Sequence, residues 1–164
     1  RPWCSRCRGA LGLRVGGLSV RVLVREPIAE AGLDLLRSRF DVDVDQDSPL
    51  EEIIDLVLQV NAGAYLIEAA NPRHEHEWRA WQKAGLPEGR ILIPGVITHH
   101  TITVEHPRLV ADRIVRFAQI VGRENVIAGT DCGMGGRVHP QIGWAKLRAL
   151  AEGARLATKE LWPS

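Results

Sequence analysis

The amino-acid sequence predicts an α/β fold built on a parallel sheet. From about residue 19 onward, short β-branched runs alternate with helical patterns, the signature of βαβ units. The later runs are continuously apolar, as expected of strands covered on both faces. Composition agrees: the chain has 164 residues, 45% hydrophobic and 25% charged, the balance of an ordinary globular domain. Five alternating β/α units fit this length, as a partial (βα)8 barrel or as an open three-layer sheet. A complete eight-unit barrel takes about 250 residues.

Each element has its own signal. Val20–Val24 is the first strand, Pro27 suits the first turn of a helix, and Ile28, Leu35 and Leu36 share one face of that helix. Asp41–Asp45 alternates with period two, as a short edge strand does. Ser48-Pro49-Leu50-Glu51 supplies an N-cap serine, a proline at the first helical position and a glutamate three residues after the cap. Leu50, Ile53, Ile54, Val57 and Leu58 then mark one helical stripe. Ala64–Ile67, Ile91–Ile93 and Val126–Ala128 read as buried strands. Helices are expected over His74–Ala84, over His106–Val121 ending at Gly122, and over Gln141–Thr158 with Trp144, Leu147, Ala151 and Ala154 buried.

Residues 1–18 read differently, as a tail that is disordered or foreign to the rest of the chain. Six arginines (Arg1, Arg6, Arg8, Arg14, Arg21, Arg25) precede the first acid, Glu26. Residues 19–164 then read as a single α/β domain. Within the tail, Cys4-Ser-Arg-Cys7 is half of a zinc ribbon or a redox pair, with no second cysteine pair to complete it.

Net charge is +1, so the chain has no overall electrostatic pull toward nucleic acid or an anionic membrane surface. No apolar run approaches the roughly 20 residues of a membrane span. Three cysteines are an odd number and make no disulfide framework; a reducing, cytoplasmic setting is the expectation.

In parallel α/β sheets the working residues lie just past the carboxyl ends of the strands. Glu68 comes directly after the third strand and opens Glu68-Ala-Ala-Asn71-Pro72-Arg73-His74-Glu75-His76-Glu77-Trp78. Pro94-Gly95-Val96 leads to His99-His100, and Thr130-Asp131-Cys132-Gly133 ends the fifth strand. A carboxylate, an imidazole pair and a thiol are thus expected at adjacent strand ends, the donor types that Zn²⁺ takes. Plainer roles compete. Cys132 alone would be a small buried hydrophobe, and His74–Glu77 a solvated helix start whose acids suit the helix dipole. Gly133-Met-Gly135-Gly136-Arg137 could cradle a phosphate, but it lacks the G-x-G-x-x-G spacing.

From about Asp47 to Trp162 the chain resembles the C-terminal catalytic barrel of cobalamin-independent methionine synthase. The resemblance rests on Glu68–Trp78, Ile93-Pro-Gly-Val96, Glu105-His-Pro107 and Gly129-Thr-Asp-Cys-Gly133. It implies a zinc-dependent methyltransferase of methionine biosynthesis, moving the methyl of 5-methyltetrahydrofolate to the thiol of homocysteine or a similar thiol. It also implies Glu68 and Cys132 as zinc ligands, and His100, or the adjacent His99, as proton donor to the departing folate. Asp131 is then placed to orient a ligand. The family's His-x-Cys ligand pair has no counterpart, because no histidine precedes His74 and no cysteine lies between Cys7 and Cys132. Residues 20–45 resemble the opening strand-helix-strand of D-3-phosphoglycerate dehydrogenase, without its glycines or catalytic residues.

Three functions are open, in order of preference. The first is a partial methionine-synthase-type barrel with zinc as cofactor and small thiol and folate substrates, two chains together completing a barrel. The second is a non-catalytic α/β binding or assembly module. The third is a dehydrogenase substrate domain. Neither nucleic acid nor membrane is expected as a partner.

Overall fold

In the computed structural model, residues 14–15, 18–24 and 27–163 are described. The fold is α/β. Among the described residues there are five α-helices, and the parallel strands form sheets of two and three strands. The chain divides into two compact units, Arg1–Pro49 and Leu50–Ser164.

In the first unit β1 (Arg14–Val15) pairs antiparallel with β2 (Leu18–Ser19). The rest of the tail, with Cys4 and Cys7, lies outside the described residues. β3 (Arg21–Val24) and β4 (Asp41–Val44) run parallel, with α1 (Glu30–Arg37) between them. The expected face of α1 is displaced: Leu33 is its buried residue, while Ile28 and Leu35 are exposed. Pro27 precedes the helix, which starts at Glu30 with Ala29 as N-cap.

The second unit carries the predicted chemistry. α2 (Leu50–Val57) buries Ile53 and Ile54, as its stripe requires. The sheet order is β5 (Ala64–Ile67), β6 (Ile91–Ile97), β7 (Gly129–Thr130), all parallel, so the three carboxyl ends open on one side. β6 is the central strand and continues four residues past the expected end at Ile93. Pro94 and Gly95 ordinarily argue against a central strand. Here the proline pairs in register with Ile67, and the ladder shifts between Gly95 and Ile97. The last strand also lies further along than expected, because Val126 makes only an isolated bridge to Leu92 and regular pairing begins at Gly129.

α3 (Trp78–Ala84), α4 (Pro107–Val121) and α5 (Pro140–Leu161) complete the unit. A core of Ile54, Tyr65, Trp81, Leu92 and Phe117 fills the α2, α3 and sheet side. A second core, Val96, Ile97, Val110, Ile114 and Val115 with Ala157, lies between β6, α4 and α5. α4 and α5 start alike. Each has a His-Pro pair, and the ring Nδ1 of His106 or His139 accepts the backbone N–H two residues on, from Arg108 at 3.1 Å and Gln141 at 3.3 Å. The motif Glu105-His-Pro107 thus includes a helix cap.

α5 packs through a different face from the one its apolar pattern predicts. Gly143, Lys146, Ala149, Gly153 and Ala157 are buried. Trp144 is 63% and Leu147 37% exposed, and both line a shallow apolar cleft with Met134 and Val138. Close approach to α4 explains the choice. A Cβ at Gly153 would lie 2.4 Å from Val110 Cγ1 and 2.8 Å from the Pro107 carbonyl, so only a residue without a side chain fits at this crossing. Gly153→Ala is therefore expected to cost about 1–3 kcal/mol of stability by overpacking. At Gly133 nothing lies within 4 Å of an added Cβ and φ is not positive, so Gly133→Ala is expected to stay within about 0.5 kcal/mol of the parent. Denaturant unfolding of both variants checks the pair.

Candidate metal centre at the strand ends

The turn after β5 begins with Glu68, the segment after β6 holds Thr98-His99-His100, and the turn after β7 holds Asp131-Cys132. Asp131 ties the outer two together. Its side chain is 2% exposed. Oδ1 accepts the backbone N–H groups of Ala69 at 2.9 Å and Ala70 at 3.0 Å, and Oδ2 accepts from Asn71 Nδ2 at 3.1 Å. To reach them the carboxylate crosses β6 at Gly95, where a Cβ would lie 2.2 Å from Asp131 Oδ1. The Pro-Gly-Val motif is therefore the gap through which the two outer strand ends join.

The same Asn71 amide donates to Glu68 Oε2 at 2.8 Å, leaving Oε1 to accept from Cys132 Sγ at 3.2 Å. Asn71 also builds its own turn: its carbonyl accepts the N–H groups of His74 and Glu75, and its Oδ1 that of Arg73. This turn keeps His74–Glu77 out of α3, which begins at Trp78. His74 does not face away; its Nδ1 contacts Glu77 Oε1 at 3.0 Å and its Nε2 lies 3.8 Å from Glu68 Oε2. Glu75 is engaged too, with the buried Arg113 at 3.0 Å. Arg113 also donates to the carbonyls of Val96 and Ala70.

The segment after β6 is held from the other side. Glu105 Oε1 accepts the Thr98 N–H at 2.8 Å, and Glu105 Oε2 pairs at 2.8 Å with Lys146, whose side chain is fully buried. Lys146 Nζ also donates to the Thr103 carbonyl. So fixed, His99 is 7% exposed while His100 is exposed, and their rings lie 4.1 Å apart centre to centre.

Glu68, His99 and Cys132 together offer a carboxylate oxygen, an imidazole nitrogen and a sulfur, all within 4.8 Å of one another. His99 thus joins the pair named from sequence. Arg137 Nη1 contacts His99 Nε2 at 3.0 Å. An arginine has no acceptor, so Nε2 accepts and a neutral ring carries its proton on Nδ1. Burial, then the neighbouring His100 and Arg137, push the His99 pKa below its ordinary value, which favours that neutral form. Its Nδ1 is buried with no hydrogen-bond partner. A carboxylate, an imidazole and a thiol are the donor types zinc takes, and His99 would join Glu68 and Cys132 with the ring proton off its ligating nitrogen. The Cys132 thiol is raised above its usual pKa, first by its hydrogen bond to Glu68 and then by burial.

No family model and no curated protein matches the chain. A solved structure does. It is a B12-independent methionine synthase from Shewanella sp. W3-18-1 in complex with selenomethionine, 27% identical, with a TM-score of 0.57. The match covers 68% of this chain and 31% of that one. The chain thus spans about a third of the length of the synthase it resembles. Among the described residues no helix is long and apolar enough to cross a membrane.

Sequence reasoning places Glu68, His99, His100, Asp131 and Cys132 at three strand ends, where the structure has them. It misses Asn71, His74, Arg137 and the Glu105–Lys146 pair. Asn71 and His74 carry a usable signal, standing three and six residues after Glu68 in a motif already singled out. Lys146 carries none, as a lysine amid an amphipathic helix reads as solvent-facing. Asp131→Ala removes the acceptor of three donors at once, and is expected to cost about 2–5 kcal/mol. Denaturant unfolding measures it, and a variant as stable as the parent would show that the clamp does not hold the strand ends together.

Proposed function

We propose that the second unit carries a zinc centre of the methionine-synthase type, with Glu68, His99 and Cys132 as ligands. The observation that carries this proposal is the meeting of three different donor types within 4.8 Å at three neighbouring strand ends. Likeness to a methionine synthase supports it. Zinc bound there would lower the pKa of an incoming thiol and hold it as thiolate.

The reaction proposed is methyl transfer from 5-methyltetrahydrofolate to homocysteine or a similar small thiol. The sulfur–methyl bond forms as the nitrogen–methyl bond breaks, and the electron pair stays on the folate nitrogen. That nitrogen takes a proton from His100, which stands exposed beside His99 and whose residue type exchanges protons near neutrality. Asn71 and Asp131 hold Glu68 and its turn in place. His99, expected as an alternative proton donor, is assigned to the metal, because it is buried and a ring nitrogen lies within 4.8 Å of the Glu68 and Cys132 donors.

Zinc analysis after chelator treatment and reloading tests the centre. The parent is expected to hold one equivalent, and Cys132→Ser, Glu68→Ala and His99→Ala are each expected to weaken zinc by more than about tenfold. His100→Ala is expected to keep zinc but lose methyl transfer to homocysteine, by about a hundredfold or more. Zinc affinity unchanged in Cys132→Ser would remove Cys132 from the centre. Full zinc with no turnover would favour the non-catalytic module.

A further inference from the structure

His100 is exposed, yet the chain that carries it is held on both sides. Thr98, the residue after β6, is 4% exposed, and its Oγ1 accepts the His100 N–H at 3.1 Å. Further along, Thr101 Oγ1 accepts the Thr103 N–H at 2.9 Å, and the Thr103 carbonyl is the one that Lys146 holds. Two threonine hydroxyls thus fix the backbone before and after His100, the local bonding by which a short polar side chain turns a chain.

Thr98 is the more constrained of the two. Its own N–H is committed to Glu105 Oε1 at 2.8 Å, and a β-branched side chain has few χ1 positions open to it. With the amide and the side chain both fixed, the hydroxyl has a set direction and the His100 amide follows it. Neighbouring side chains leave this turn for different environments: His99 is 7% exposed, and His100 is exposed. The His99 ring, 4.1 Å away centre to centre, limits the other end of the same residue.

We propose that Thr98 is the positioning residue of His100, acting through the hydrogen bond that its hydroxyl accepts from the His100 N–H. This rests on His100 as the proton donor of the reaction proposed above. A general acid works only within hydrogen-bond reach of the atom it protonates, and a displacement of about 1 Å can cost about a hundredfold in rate. An exposed histidine on a loop lacks the surrounding packing that would hold it to that tolerance. The Thr98 hydroxyl supplies for His100 the constraint that burial supplies for His99. Thr98 touches no reacting atom, so it acts on the rate of transfer and not on the metal.

The test uses Thr98→Val, Thr98→Ser and the double variant Thr98→Val/His100→Ala. Valine keeps the shape of threonine and the N–H that Glu105 holds, but it has no acceptor for His100. In steady-state methyl transfer by the zinc-loaded protein, Thr98→Val is expected to lower kcat about tenfold, with zinc content and the KM for the thiol unchanged. Thr98→Ser, which keeps the acceptor, is expected to recover most of that rate. Once His100 is alanine, Thr98→Val is expected to cost nothing further, as befits a residue that acts through His100. A parent-like kcat in Thr98→Val, the same loss with or without His100, no recovery by serine, or lost zinc overturns the proposal. A parent without turnover overturns the reaction instead, and amide hydrogen exchange then decides the role of Thr98. The His100 N–H is expected to exchange about tenfold faster in Thr98→Val while the β6 amides keep their rates; equal exchange in parent and variant overturns the positioning.

Discussion

One buried carboxylate organises the strand-end face of the second unit. Asp131 reaches from the end of β7 over Gly95 to the turn after β5 and accepts three N–H groups there. Two of these donors are backbone groups of buried residues, Ala69 and Ala70, which would be costly to leave unpaired. Since the outer strands are not neighbours in the sheet, their ends have no ladder bonds to each other. The side chain supplies what the sheet does not. The third donor, Asn71, passes the constraint on to Glu68, so the orientation of the candidate ligand depends on the position of Asp131. A glycine at position 95 is a condition of this arrangement, because a methyl group there would occupy the space of the carboxylate.

Two buried cations do for the loops what Asp131 does for the turn. Arg113 on α4 binds the Val96 and Ala70 carbonyls and Glu75, linking the central strand to the Glu68 segment. Lys146 on α5 neutralises Glu105, whose other oxygen fixes the Thr98 N–H just before His99. Buried ion pairs are weak sources of net stability, because desolvation offsets most of their attraction. Their value here is positional. Each joins a helix to a chain segment that has left the sheet and has no other regular partner.

The strand end at Glu68 is legible in the sequence because the apolar run Ala64–Ile67 stops abruptly there, and the motifs that follow the other two runs carry the remaining candidate residues. Strand length is less so. β6 runs through Pro94-Gly95, a pair that normally ends a strand, since the glycine answers a tertiary demand from Asp131 that local propensity cannot register. Val126–Ala128 has the residue types of a strand, yet pairing starts at Gly129, where a Cβ would lie 2.9 Å from Ile93 Cγ2. The face of α5 is misleading for a related reason. Apolar bulk at Trp144 and Leu147 outweighs Gly143 and Gly153 in the pattern, whereas close helix packing selects small residues. His99 and His100 cannot be separated by spacing at all; only burial tells the inward ring from the outward one. Arg137 reads as part of a glycine-rich turn, and its place beside His99 depends on a reversal at Gly136 that has no clear sequence signature beyond the glycine itself.

The hydrogen bond between Cys132 and Glu68 bears on why these donors stay together. A thiol and a carboxylate at 3.2 Å attract only while a proton lies between them; deprotonated, both would be anions in a half-buried setting. That is why the Cys132 pKa is raised chiefly by Glu68. Asn71, by holding the other carboxylate oxygen, keeps Glu68 from turning away. His99, favoured in its neutral form by burial and by the neighbouring His100 and Arg137, adds an imidazole to the cluster without adding charge. The thiol and the carboxylate therefore stay together while the thiol keeps its proton, and a metal ion held by them would release that proton. That constraint joins the folding role of Asp131 and Asn71 to the chemistry proposed at Cys132.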